Sequence, residues 1–412
     1  MVGLSANVGT INRRKYIISS ETAYRFLLVF VWTQNTVLNY ITAFIKRTPI
    51  ISAAGPLFTP SVIIIALLLS LLYIMKNIHA GDFIAFIVYV IVIISTSLIF
   101  PENWDEYISP QLGRIMLMAL PMFFVGLAYK HEKFKNDLFW ASLIGVIIVF
   151  LYQFYLLRIG KTLESDNMDT AYNVLPSVLY LIYWAFYKKK ITYWAIAVIS
   201  SVLSFVFGTR GPIFAILVFL AANVFLRIIN TKNKLLQIVY VLICAVGLVL
   251  LFSGNVLTDI VMWMSKSFEK MGFSTRIFDY FINGEITYHN GRDVLYAPAI
   301  DAIKTGPLFG YGFMGDRVIF GRYVHNIFLE IWCSFGIIVG SLIILALVGL
   351  TVISLWKSRN KDSFNMILLL ICMIFTKLMM SGSYATEPYF YLFIGVCVRE
   401  LHSRKISGNQ GA

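Results

Sequence analysis

His325 stands where a long polar stretch meets an apolar one, in Val324-His325-Asn326-Ile327-Phe328-Leu329-Glu330, with Gly336 eleven positions on. An imidazole takes or gives a proton near neutral pH, so at a water–membrane boundary it can act as a base or hold an anion. The chain has five histidines, and hydropathy marks this one alone as standing at the mouth of an apolar segment. Asn326 is a candidate helix N-cap, and the plain alternative for His325 is an interfacial or capping role. Glu330 lies inside the apolar run, where an unpaired carboxylate is costly. Five residues turn a helix through about 500°, so Glu330 need not share a face with His325 but is suited to partner a cation across a site.

The cations that could face such a site are arginines. Arg210 opens an apolar segment within Gly208-Thr209-Arg210-Gly211-Pro212. Flanking glycines let a backbone approach a ligand closely, and a guanidinium holds a phosphate through two hydrogen bonds. The competing reading is an arginine snorkelling at the interface. Arg292 sits in His289-Asn290-Gly291-Arg292-Asp293, ahead of a helical run to Lys304 and a turn-rich hinge, Gly306-Pro307-Leu308-Phe309-Gly310-Tyr311-Gly312. Arg276, Arg317 and Arg322 share its loop, so position alone does not single out Arg292, whose plain alternative is a solvated surface arginine. Lys377 falls inside a late apolar segment, and Ser381-Gly382-Ser383-Tyr384 follows it. Two intramembrane charges, Glu330 and Lys377, indicate a polar cavity open to one side.

The elements that must position these residues are membrane helices. Of 412 residues, 59% are hydrophobic and only 13% charged. A soluble chain carries about a quarter charged, so this one has the bilayer as its solvent. Met1 to Tyr16 lacks the features of a removable signal peptide, and the first apolar segment is expected to stay in the mature protein. The net charge of +13 is spread in small clusters between apolar segments, as orientation signals are, which argues against nucleic acid. The four cysteines, Cys244, Cys333, Cys372 and Cys397, all lie in apolar runs with no CxxC pair, and read as packing residues rather than a disulfide framework or zinc site.

About twelve segments approach the length needed to span a bilayer: 22–45, 56–76, 81–100, 110–129, 137–157, 170–187, 191–207, 210–229, 234–253, 326–356, 364–381 and 387–401. The expected fold is an all-α polytopic membrane protein, one domain over 1–412. Gly208 to Pro212 forms a tight turn between two antiparallel spans. Basic clusters, among them Arg13-Arg14-Lys15, Lys188-Lys189-Lys190 and Arg404-Lys405, fall on alternate loops and both termini, with Lys46-Arg47 as the exception. By the positive-inside rule both termini are then cytoplasmic, and His325, Arg210 and Arg292 face outward. The 254–325 loop is far longer than the other connections, and its runs Ile260-Trp263-Met264-Phe268 and Leu295-Ala299-Ala302-Ile303 predict amphipathic helices lying against the membrane surface.

Taken in order, Gly-Thr-Arg210-Gly-Pro at a helix start, Gly-Arg292 before a helix and the hinge, and His325-Asn326 followed by Gly336 resemble the bacterial O-antigen ligase and polymerase superfamily. The similarity covers roughly 195–400, including Ser381-Gly-Ser-Tyr384; the first five spans match only in hydropathy. The resemblance implies a glycosyltransferase in the bacterial cytoplasmic membrane, with its active site on the periplasmic face and an undecaprenyl-diphosphate-linked glycan as donor. It gives Arg210 and Arg292 the diphosphate, and His325 a role as base or diphosphate contact. Asn326, Glu330, Lys377, Tyr384, Arg317 and Arg322 are the accompanying substrate-binding candidates. Arginine supplies the positive charge a leaving diphosphate needs, and no outer-face sequence resembles an aspartate-rich metal site, so metal-independent transfer with no cofactor is expected. The implied partners are the lipid-linked donor and acceptor, membrane lipid and a chain-length regulator protein, with no nucleic acid.

A polymerase joins lipid-linked repeat units to each other, whereas a ligase moves the finished glycan onto lipid A-core. Both need the same donor site. The Gly-Thr-Arg-Gly-Pro form and Glu387-Pro388-Tyr389-Phe390-Tyr391 look more like repeat-unit polymerases. A transporter would show repeated halves and a polar site at the midplane, and this sequence shows neither.

Overall fold

The computed structural model describes residues 19–47, 55–158, 167–207, 209–230, 256–271, 275–283, 293–359 and 361–402, with isolated positions between 234 and 242. The described residues fold into helices joined by turns, with no strand among them. In chain order these are α1 (Ser20–Thr33), α2 (Asn39–Arg47), α3 (Gly55–Met75), α4 (Ala80–Ile99), α5 (Pro101–Ala128), α6 (His131–Arg158), α7 (Asn167–Lys188), α8 (Ile191–Val206) and α9 (Arg210–Asn230). The long loop contributes α10 (Val256–Lys270), α11 (Arg276–Ile282), α12 (Asp293–Thr305) and α13 (Gly315–Phe320). The chain closes with α14 (Ile327–Ser358), α15 (Ser363–Met380) and α16 (Pro388–His402).

Six of these helices are long and apolar enough to cross a membrane: Leu57–Met75, Pro101–Ala128, His131–Tyr155, Arg210–Ile229, Ile327–Ser358 and Ser363–Met380. Two shorter apolar helices, Ala80–Thr96 and Ile191–Ser204, accompany them. Among the described residues six of the twelve expected spans thus meet that length and apolarity, and the count of twelve is not confirmed. The 22–45 stretch is α1 and α2 joined by a π-helical turn, Gln34–Leu38, that buries Gln34 and Thr36. The 170–187 stretch is helical, but α7 is less apolar than the six, and residues 174–185 are all buried in protein. The last helix, α16, has 15 residues and is also largely buried. The 234–253 stretch lies mostly outside the described residues. Hydropathy registers an apolar helix but does not distinguish lipid from protein as what covers it.

The outer surface fits a bilayer. Leu68, Leu72, Leu342, Leu345 and Trp356 are all exposed, a density of apolar surface that water would not tolerate. Inside, polar groups on core aromatics find partners: Tyr24 Oη donates to the Val125 carbonyl at 2.6 Å, Trp32 Nε1 to Ser142 Oγ at 2.8 Å, and Tyr389 Oη to the Trp32 carbonyl at 2.9 Å. These bonds tie α1 to α5, α6 and α16. Helices α5 and α16 cross with Gly126 against Gly395, so close that a Cβ on either would strike the other's backbone. Small residues at such crossings are how membrane helices gain packing without a hydrophobic drive between them.

The bundle has two chemically different ends. At one, the start of α9 meets the end of α15: a Cβ on Gly211 would stand 3.3 Å from Met380 Sδ. The start of α14 and the turn between α15 and α16 lie at this end too, tied by Tyr323 Oη donating to the Ser381 carbonyl at 2.9 Å. At the other end, lysines pair with acids on neighbouring helices: Lys133 with Glu21 at 2.6 Å, Lys135 with Asp362 at 2.7 Å and Lys361 with Glu400 at 2.8 Å.

Candidate active site

The site forms where α14 is interrupted. Gly336 has φ 72° and ψ 175°, a conformation that side-chain-bearing residues avoid, so the helix begun at Ile327 breaks there. The break frees backbone carbonyls, and the Gly306–Gly312 hinge fills them. The Tyr311 N–H donates to the Cys333 carbonyl at 2.8 Å and the Gly312 N–H to that of Ser334 at 3.0 Å. A Cβ on Gly336 would run into the Leu308 carbonyl. Asn103 of α5 holds the hinge from the other side, with Nδ2 donating to the Tyr311 carbonyl at 2.7 Å and the Phe313 carbonyl at 3.2 Å.

At the opposite end of this short helical segment, Asn326 is the N-cap, as its sequence position predicts. Its Oδ1 accepts from the Phe328 N–H at 3.0 Å and the Leu329 N–H at 3.3 Å. One residue earlier, His325 has φ 59°, in the left-handed region. A non-glycine residue persists there only when its surroundings impose it. The imidazole packs on Tyr323, ring centroids 4.2 Å apart.

Beneath this turn lies a buried ionic cluster. Arg317, 4% exposed, donates through Nη1 to Asp316 Oδ1 at 2.8 Å and to Glu330 Oε1 at 3.2 Å, and through Nη2 to Ser383 Oγ at 2.6 Å. Ser383 Oγ in turn donates to Glu330 Oε1, and the Tyr384 N–H to Glu330 Oε2 at 3.3 Å. Asp316 Oδ2 accepts from the Val324 N–H at 3.1 Å. Both carboxylates are fully buried, so the cluster is affordable only because one guanidinium and several hydrogen bonds serve them. Burial pushes the Asp316 carboxyl above its usual range, while Arg317 and the Val324 N–H pull it part of the way back. For Arg317 burial opposes the charge, but Asp316 and Glu330 outweigh it and raise the pKa.

The structure thus brings together His325, Asn326, Glu330, Arg317 and Tyr384 among the residues singled out from sequence. Glu330 does partner a cation, and that cation is Arg317, which the sequence offered only as one of several loop arginines. Tyr384 contributes its backbone, while its ring is buried edge-on to Phe313, centroids 6.1 Å apart. Lys377 pairs with Glu387 at 2.7 Å at the same end of the bundle. Arg322 is exposed at the bend after α13. Arg210 is the first residue of α9, half-buried, with its guanidinium 4.7 Å from the Tyr280 ring centroid on α11. It joins the His325 region through consecutive residues: Met380 lies beside the Arg210 turn and Ser381 accepts from Tyr323. Arg292 and Gly208 lie outside the described residues.

Two residues were missed in the sequence. Asp316 and Tyr323 each contact the His325 turn or its neighbours, and the adjacent charges Asp316-Arg317 in an otherwise Gly- and aromatic-rich stretch were the available signal. The expected uniqueness of His325 also needs correction. His131 opens the His131–Tyr155 span, and His79 caps α4. His131 is buried between two tyrosines, its Nδ1 2.7 Å from Tyr129 Oη and its Nε2 2.8 Å from Tyr183 Oη, a packing role that hydropathy alone could not separate from a chemical one.

No curated protein and no solved structure matches the chain. Residues 195–344 match the family model described as O-antigen ligase, a stretch that runs from within α8 to within α14 and carries Arg210, Arg317, His325, Glu330 and Gly336. Over this stretch, about a third of the chain, the protein is similar to the O-antigen ligase family, and its apolar helices fit a multi-pass membrane protein.

Proposed function

We propose that this protein polymerises undecaprenyl-diphosphate-linked oligosaccharide repeat units on the outer face of the bacterial cytoplasmic membrane. The observation that carries the reading is His325, an imidazole held in a left-handed turn at the start of a broken membrane helix, at the same end of the bundle as Arg210. The basic opposite end, with Lys133, Lys135 and Lys361, supports a cytoplasmic assignment for that side and an outward-facing His325. The two termini would then be cytoplasmic, and the number of spans between them even.

In this reading an acceptor sugar hydroxyl attacks the donor's anomeric carbon. The new glycosidic C–O bond forms as the C–O bond to the diphosphate breaks, and the lipid diphosphate departs with the electron pair. His325 receives the hydroxyl proton, and Arg210 with Arg292 stabilises the charge growing on the diphosphate. Arg317 and Glu330 serve the reaction from beneath rather than as substrate ligands, since each is bonded to the other and to Ser383.

The deciding experiment supplies membranes containing the protein with a lipid-linked repeat unit and no lipid A-core. Elongation of the lipid-linked glycan is expected; a strict requirement for added lipid A-core would replace polymerase with ligase. Transfer by the purified protein is also expected to survive EDTA, and a loss that magnesium reverses would overturn the arginine-only account of diphosphate departure.

A further inference from the structure

Four consecutive residues around the imidazole are each anchored by a different part of the fold. Tyr323 Oη donates to the Ser381 carbonyl after α15, and the Val324 N–H donates to Asp316 of α13. The His325 carbonyl accepts from Tyr296 Oη of α12 at 3.4 Å, and Asn326 caps α14. The Arg317 guanidinium carbon stands 5.6 Å from the Tyr323 ring centroid, and that ring carries His325 at 4.2 Å. A left-handed histidine is costly to hold, and these contacts are what hold it.

We propose that Asp316, Arg317 and Tyr323 are positioning residues for His325. Asp316 fixes the backbone one residue before the imidazole. Arg317, locked between Asp316 and Glu330, presses the Tyr323 ring into place, and that ring sets the imidazole plane. Glu330 and Ser383 complete the device by holding Arg317. The inference rests on the proposed role of His325 and adds to it a reason for burying two carboxylates and a guanidinium beside a reacting group. Displacing a catalytic group by about 1 Å costs on the order of a hundredfold in rate, so a scaffold of this kind acts on turnover rather than on donor affinity.

The test uses the full-length protein in lipid bilayers, measuring elongation of a lipid-linked repeat unit for Asp316→Asn, Tyr323→Leu, Tyr323→Phe and His325→Ala. Asp316→Asn and Tyr323→Leu are expected to lower kcat by roughly 10- to 100-fold with the donor KM within about threefold. Tyr323→Phe, which keeps the ring, should recover most of the rate that leucine loses. In a His325→Ala background, Asp316→Asn should cost nothing further, because no imidazole remains to be positioned. Additive losses there, or a rise in KM with kcat intact, would overturn the proposal. If Asp316→Asn fails to accumulate in the membrane, the leucine and phenylalanine pair at 323 decides, since both leave the ionic cluster whole. Failure of the two layers is distinguishable. A fully active His325→Ala sinks the proposed function itself, whereas an inactive His325→Ala beside fully active Asp316→Asn and Tyr323→Leu sinks only the positioning scheme.

Discussion

The two ends of the helix bundle use charge in opposite ways. At the basic end, Lys133, Lys135 and Lys361 reach acids on neighbouring helices across partly exposed contacts. Such pairs are screened by water and contribute little to stability, and their sign matters mainly for orienting the chain in the membrane. At the His325 end, Asp316, Arg317 and Glu330 are sealed from solvent. There each charge depends on the others, and removing one leaves a partner stranded. Charge at one end is exposed and screened, and charge at the other is buried and interdependent.

That contrast can be broken by substitution. The largest effect is expected from His325→Ala and Arg210→Ala, each lowering glycan elongation by about a hundredfold or more at normal membrane levels. Wild-type chain lengths from both variants, read on a glycan gel, would remove chemistry from the His325 end altogether. Next comes Gly336→Ala, which puts a side chain at φ 72° and against the Leu308 carbonyl. It should destabilise the protein by roughly 3 kcal/mol, seen as loss of folded protein on heating in detergent. Glu330→Gln keeps the shape but removes one carboxylate from Arg317 and should cost roughly 1–3 kcal/mol in the same assay. The smallest effect belongs to the basic end: Lys133→Ala should change stability by less than about 1 kcal/mol and leave elongation unaltered. A Lys133 effect as large as that of Glu330 would erase the distinction between the ends.

Much of the His325 segment is legible in the sequence. Asn326 read as an N-cap because its side chain suits that place and an apolar run follows, and it caps α14. Glu330 read as a carboxylate in need of a cation because the membrane punishes a bare one. The helical content of the long loop was visible in its periodicity, and α10 and α12 fall on the runs that suggested it. Other features left no local trace. Arg317 lies thirteen residues before Glu330, in a loop with other arginines, and nothing in that spacing says which one turns inward. The count of twelve spans is not confirmed: α7 is helical but buried and less apolar than lipid-facing helices such as α3 and α14.

Composition and residue pattern by themselves indicated the apolar surroundings and the helical class and singled out the segment around His325, because hydropathy, capping and charge distribution act over short stretches of chain. Tertiary structure alone decided which charges meet. Ser383 and Tyr384 reach Glu330 from more than fifty residues away, and Asn103 reaches the hinge from more than two hundred. Contacts at such separations depend on how helices pack, which is a property of the assembled core rather than of any window along the sequence.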